Sequence, residues 1–266
     1  MKKRLGQLEQ QLFAYVQLRK LRTLRTGDLS GPLQITTKQE RELLSRLSRA
    51  GMIAQVRRGL YLVPERLPLG GRWSPDEGLA LNTLFDAING RYQICGPNAF
   101  NRYGFDEQVP TRVYVYNNRD WGDRRIGSVA LTLIKVADRR LGDIETIETA
   151  EGSKTVYSSR ARTLLDAVYD WARFNSLPRA YEWIRKELKA NRVTPDELVS
   201  ATLKYGDIGT IRRIGALLQR EGVAPTLLKK LEKVLPKTSS LIPWIPIKPK
   251  RGTVNRRWGV VINEQS

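Results

Sequence analysis

Apolar residues fall at Leu43, Leu44 and Leu47 in a run that is otherwise polar, and that spacing predicts an amphipathic helix. Thr37 with Glu40 three residues on fits a capping box, so the helix is expected to begin there. Gly51 sits where a helix C-terminus favours a left-handed residue. Opposite the leucines lie Lys38, Arg41 or Glu42, Ser45 and Arg49, flanked by Gln39 and Arg46. Ile53–Val56 reads as a strand, Arg57-Arg58-Gly59 as a three-residue turn and Leu60–Val63 as the returning strand, with Gly59 at the positive-φ position. Upstream, Leu5, Leu8, Leu12 and Tyr15/Val16 recur at helical spacing over residues 2–19, and Thr26–Pro32 reads as a short second helix and turn. Helix, short helix, longer helix and hairpin, in that order, make a winged helix-turn-helix.

Beyond Pro64, Pro68-Leu69-Gly70-Gly71 reads as a linker, so residues 1–70 are expected to form one domain and 71–266 another. Within the second, Ser74-Pro75-Asp76-Glu77 predicts a capped helix start, followed by Leu81, Leu84, Phe85 and Ile88 on one face. Arg91–Cys95, Arg112–Tyr116 and Arg125–Val136 alternate as strands do, which makes residues 71–157 a small sheet with flanking helices. From Ser158 to Leu235 five apolar stripes at helical spacing predict a packed bundle, one of its helices opened by Thr194-Pro195-Asp196-Glu197. The last segment, 236–266, is punctuated by prolines and carries Lys248, Lys250, Arg251, Arg256 and Arg257 around Trp258. Leu241–Ile247 is expected to run extended, clamped by Trp244. Two readings of this tail stand open: a secondary nucleic-acid contact, or an arm packed over the domain with Trp258–Ile262 adding an edge strand. The fold class expected is therefore α+β.

Charge changes the picture from architecture to partner. Of 46 basic and 27 acidic residues, 14 and 5 fall in residues 1–70 and 9 and 2 in residues 227–266, leaving the middle nearly balanced. Two basic ends suit a polyanion. A helix about 10–12 Å across fits the roughly 12 Å major groove, and a basic hairpin tip beside it can reach phosphates or the minor groove. The residues expected to face DNA are Thr36, Thr37, Lys38, Gln39, Arg41, Ser45, Arg46 and Arg49, with Arg57 and Arg58 on the wing. Against this stands the fact that some winged helices bind only protein, and that Glu40 and Glu42 interrupt the basic face.

The chain has no histidine and one cysteine, Cys95. That excludes Ser-His and Cys-His nucleophile pairs and His- or Cys-based metal sites. A lone cysteine fits a reducing cytoplasm and reads as a small buried hydrophobe. No run of 18 apolar residues exists, so no membrane span is expected, and the basic Met1-Lys2-Lys3-Arg4 lacks the apolar segment of a signal peptide. Asp143 and Glu145 are the best paired acids for a metal nuclease, but no lysine follows at the right spacing, and no phosphate-cradling glycine loop occurs. A non-enzymatic chain without cofactor or metal is expected.

The order of parts resembles the AbiEi family of antitoxins and transcriptional autorepressors. The likeness is carried by Leu21–Val63, with its Arg57-Arg58-Gly59-Leu60-Tyr61 hairpin, and by Tyr157–Asp166 at the head of the bundle. The resemblance implies that the N-terminal domain binds inverted repeats in the double-stranded promoter DNA of its own operon, two copies to a site. It implies that the C-terminal domain counters a nucleotidyltransferase-like toxin in phage defence by abortive infection, without a stable complex between the two.

Overall fold

The structure is a computed structural model that describes residues 5–67, 71–149 and 152–264. Met1–Arg4 and three residues of the expected linker, Pro68-Leu69-Gly70, lie outside the described residues. The chain is a mixed α+β protein. Its elements run α1 (Gln7–Arg19), β1 (Thr23–Arg25), α2 (Thr37–Arg49), β2 (Ala54–Arg57), β3 (Leu60–Leu62), α3 (Glu77–Asp86), β4 (Tyr92–Ile94), α4 (Gly96–Arg102), β5 (Val113–Asn117), β6 (Gly122–Ile126) and β7 (Val129–Lys135). After a 3-10 turn come β8 (Ile144–Glu148), β9 (Lys154–Ser158), α5 (Arg160–Tyr169), α6 (Trp171–Phe174), α7 (Arg179–Lys189), α8 (Pro195–Tyr205), α9 (Ile208–Arg220) and α10 (Pro225–Glu232). The chain closes with β10 (Ile242–Pro243), β11 (Thr253–Asn255) and β12 (Val260–Ile262). A six-stranded sheet has the order β6-β7-β5-β4-β9-β8, with β5 parallel and β6 antiparallel to β7. None of the described helices is long and apolar enough to cross a membrane.

Contacts divide the chain into two compact units, Met1–Tyr92 with Thr111–Lys135 and Thr146–Val156, and Gln93–Pro110 with Val136–Glu145 and Tyr157–Ser266. These are drawn by contact and not by chain order, so the second collects its bundle from segments far apart in sequence.

In the first unit, the segment up to Val63 has a core of its own. Leu12, Phe13 and Val16 of α1 meet Leu43, Leu44 and Leu47 of α2, together with Leu24, Leu29, Ile53, Tyr61 and Val63. Burying leucines of this kind stabilises by about 1.5–3 kcal/mol each. The three leucines of α2 are the stripe expected from the spacing. The hairpin is present, with β3 antiparallel to β2 and Gly59 at φ 77°. Two features differ from the expected elements. Thr23–Arg25, outside every expected element, is a third strand paired to β3. Residues 26–34, expected to hold a short helix, form a succession of turns, because Gly27, Gly31 and Pro32 oppose helix propagation.

The second unit is built around α5, in which Ala161 to Val168 are all buried. Helices α4, α7, α8 and α9 pack on it. Cys95 is buried at the start of α4, as a small hydrophobe would be. The five expected bundle helices are present, the first followed by a separate single turn, α6. The two near-identical tetrapeptides cap differently. Thr194 caps α8 with Pro195 at the first helical position and a reciprocal Glu197 bond. In the first unit Ser74 and Pro75 stand outside α3, and Asp76 is its cap, its carboxylate accepting from the Leu79 amide at 2.8 Å.

The tail is a packed arm. Strand β12 lies between β10 and β11, so it is central and not an edge. Pro243, without a donor, is confined to the edge strand β10. The indole of Trp258 is buried against Gly215 of α9, where a Cβ would come within 2.2 Å of the ring, so only glycine admits it. Trp244 stacks on Tyr181 with ring centroids 3.8 Å apart. A buried Trp258 has no ring face to offer a base.

Candidate nucleic-acid interface

Helix α2 begins one residue earlier than its expected capping box. Thr36 is the N-cap: its hydroxyl accepts from the Gln39 amide at 3.2 Å, and the Gln39 side chain accepts from the Thr36 amide at 2.8 Å. Gln39 and Thr36 therefore have work within the helix end. The other end closes with Gly51 at φ 71°, its amide bonded to Ser48 and that of Met52 to Leu47, the Schellman pattern that satisfies terminal carbonyls.

The shift of one residue changes what Glu40 does. It neither caps nor interrupts the basic face. Its carboxylate is fully buried and accepts from the amides of Gly27 at 2.9 Å and Leu29 at 3.1 Å and from the Ser30 hydroxyl at 2.7 Å. Glu40 thus welds the turns before α2 onto the helix. A carboxylate here satisfies two backbone donors that no strand or helix would pair. No periodicity rule finds this role, because the partners are set by where the turns fold back.

With Glu40 removed from the surface, the exposed stripe of α2 is Lys38, Arg41, Glu42, Ser45 and Arg49, which successive turns place on one side. Among the described residues Lys38, Arg41 and Arg49 have no carboxylate partner; Arg49 only donates to the Ser45 carbonyl at 3.4 Å. Glu42 is the single acid in the stripe. Arg46, on the flank, is held by Glu9 of α1 at 2.9 Å. Thr37 is exposed beside the cap. On the hairpin the two arginines differ: Arg57 donates to the Ala87 carbonyl at 3.1 Å, at the end of α3, whereas Arg58 is exposed at the tip with no partner.

The basic residues of the tail are mostly engaged. Arg257 pairs with Glu232 at 2.6 Å, and Lys248 and Lys250 donate to the carbonyls of Glu264 and Leu241. Arg251 and Arg256 are exposed, their side chains without a partner among the described residues. The Trp258 carbonyl accepts from Arg212 at 2.6 Å, and the same guanidinium binds the carbonyls of Ser240 and Gly259.

Asp143 and Glu145 line a cleft of about 610 Å³ in the second unit, with Arg160, Arg192, Lys204 and Tyr205. The lysine absent from their sequence neighbourhood is supplied by α8. Asp196 and Glu197 line the cleft as well, so four carboxylates face three cations. Arg160 and Arg192 close on Glu187, at 2.7 and 2.6 Å. Burial pushes the Glu187 carboxyl up, and the hydrogen bonds from Arg192 and Arg160 outweigh it, leaving it below the ordinary glutamate value. The hydroxyl of Tyr103, which donates to the Ser158 carbonyl at 2.8 Å, is pushed up by burial and by the Glu145 carboxylate. Among the described residues no group of three or more His, Cys, Asp or Glu side chains is placed to hold a metal ion.

No protein-family model matches the chain, and no curated protein matches it. Among solved structures, the chain is similar to the crystal structure of the RV2827C protein from Mycobacterium tuberculosis. The match covers 97% of this chain and 92% of that one, with a TM-score of 0.64 and 13% sequence identity, so what the two share is the fold over nearly their whole length.

Proposed function

We propose that this chain is a DNA-binding regulator that represses its own operon and carries antitoxin activity, as the resemblance to the AbiEi family implies. Residues 5–67 act as a winged helix-turn-helix: α2 enters the major groove and the β2-β3 hairpin contacts the backbone beside it. The observation that supports this is the stripe of Lys38, Arg41, Ser45 and Arg49, exposed and free of carboxylate partners, with Arg58 bare on the following hairpin tip. Unpaired guanidinium and ammonium groups release counterions from DNA on binding, whereas paired ones lose a protein contact in exchange. Double-stranded promoter DNA with inverted repeats is the proposed partner, bound by two copies in the cytoplasm. The antitoxin activity, directed at a nucleotidyltransferase-like toxin without a stable complex, rests on the resemblance and belongs to the remaining three quarters of the chain.

Fluorescence anisotropy with DNA from directly upstream of the gene, against random DNA of equal length, tests the reading. Preference for the upstream DNA is expected, with Arg57→Ala plus Arg58→Ala weakening both and lowering the salt slope by about one unit per lost phosphate contact. Equal affinity for the two DNAs at all salt concentrations makes the chain a nucleic-acid- or protein-binding module and removes the operator role.

A second reading has one observation in its favour: the cleft that brings Asp143 and Glu145 together with Lys204. It makes the chain a metal-dependent nuclease, for which Mg²⁺-dependent cleavage abolished by Asp143→Ala is the test.

A further inference from the structure

The first unit contains a second concave surface, of about 750 Å³, where the C-terminal end of α2 and the start of β2 meet residues 72–74 and the turn between β6 and β7. Arg49, Arg72 and Arg125 line it, with Gln55, Trp73 and Ser128, and no lining residue is acidic. None of the three arginines has a carboxylate partner among the described residues, although their neighbours do: Arg124 pairs with Asp120 at 2.8 Å and Arg112 with Asp123 at 2.9 Å. The surface is built and not a chance gap. The Trp73 amide donates to the Gly51 carbonyl at 2.8 Å, and the Ser128 amide donates to the Ser74 hydroxyl at 2.9 Å, which ties the turn to the segment carrying Arg72. Gly127 in that turn adopts φ 61°, and a Cβ there would meet the Ser74 hydroxyl at 2.8 Å, so the close approach needs glycine.

Three guanidinium groups lining one cleft without a carboxylate repel one another, and an anion relieves the repulsion. Guanidinium forks match phosphate oxygens bidentately, and a run of phosphates supplies the several negative charges that three arginines call for. From this we infer that the cleft is a phosphate site, distinct from the outward stripe of α2 although Arg49 stands at the edge of both. Its ligand is a run of phosphate groups, from one of two sources. One is the backbone of a duplex lying on α2, which rests on the regulator reading. The other is the polyphosphate of a free nucleotide, whose base would find the half-buried indole of Trp73; this source does not depend on that reading.

The test uses the full chain, sodium tripolyphosphate as the small probe and a DNA duplex as the large one. Arg72→Ala plus Arg125→Ala removes two exposed side chains and leaves the core intact; Lys186→Ala plus Lys189→Ala, both exposed in the second unit, controls for net charge. Calorimetry with tripolyphosphate is expected to show saturable binding that the double variant weakens at least tenfold and the control leaves unchanged, which assigns the free source. If tripolyphosphate does not saturate but the double variant lowers the salt slope of duplex binding by about two units, the backbone is the source. Binding of both probes that is equal in the double variant and the control overturns the phosphate site, as does the absence of both effects. A chain that binds tripolyphosphate through the cleft yet binds no duplex keeps this inference and sinks the regulator reading.

Discussion

Arg58 and Arg162 carry the same charge and serve opposite ends. Arg58 stands exposed on the hairpin tip with nothing to hold it. Arg162, in the second unit, is fully buried: it binds Asp166 at 2.9 Å, donates to the carbonyls of Arg140 and Gly142, and lies over the Tyr205 ring at 3.9 Å. Both fates occur in each unit, in different places. In the second, Arg160 and Arg192 share Glu187, Arg185 binds Glu221, Arg220 binds Glu264 and Arg212 is spent on carbonyls. In the first, Lys38, Arg41, Arg49, Arg58, Arg72 and Arg125 have no acid among the described residues, whereas Arg22, Arg46, Arg112 and Arg124 each do. Net charge alone therefore misplaces the electrostatics. The two units carry a similar excess of basic over acidic residues, but arginines held as internal bolts present little of it outward, and only outward charge recruits a polyanion.

The largest effect expected is in the second unit. Arg162→Ala leaves Asp166 buried beside Arg140 alone, and breaking a buried pair costs about 3–5 kcal/mol. Urea unfolding of the full chain measures it; a loss under 1 kcal/mol would make Arg162 no bolt at all, and the comparison would fail.

Next comes a contrast inside α2. Glu40→Ala strips two amides and a hydroxyl of their acceptor and is expected to destabilise by roughly 2–4 kcal/mol. Glu42→Gln, two residues away, leaves stability within about 0.5 kcal/mol and strengthens binding to random DNA, because it removes the only acid from the stripe. Thermal melting and anisotropy on the two variants separate the roles, and identical behaviour would show that burial does not divide them.

Smaller again is the pair of wing variants. Arg58→Ala is expected to weaken duplex binding more than Arg57→Ala, since Arg57 already donates to Ala87. The order of their salt slopes decides it.

The smallest effect is in pH. In the second unit Glu187 and Glu264 both have folded values held below the ordinary glutamate value of 4.5: burial pushes each up, and hydrogen bonds and charges from arginines outweigh it. A depressed folded value means the stabilisation is complete above 4.5 and is lost as pH falls through the folded values. Acid titration of unfolding stability should therefore show a decline below that pH which Glu187→Gln makes shallower; an unchanged profile in the variant would remove Glu187 from the account.

Much of the local structure was legible. The leucine stripe of α2, the hairpin at Arg57–Gly59, the capping of α8 by Thr194 and the bundle helices all follow from spacing and cap chemistry that act within a few residues. The capping errors are of one kind. Thr37 with Glu40 and Ser74 with Glu77 each satisfy the letters of a capping box, yet the caps are Thr36 and Asp76. In both places the side chain expected in the cap is claimed by a distant partner: Glu40 by the turn at 27–30, and Ser74 by the Ser128 amide. The candidate surface was half legible. Lys38, Arg41, Ser45 and Arg49 stand outward as the helical period requires, but nothing near Arg46, Arg57 or Arg257 in the chain announces Glu9, Ala87 or Glu232 as a partner.

The sequence by itself determined where the α2 helix, its hairpin and the bundle helices lie, which face of α2 carries charge and that the chain has no histidine chemistry. These are matters of composition and short-range periodicity. Only the tertiary structure decided which charges are left free. An arginine is neutralised or presented according to what folds against it from tens of residues away, and that distance exceeds the reach of any local pattern.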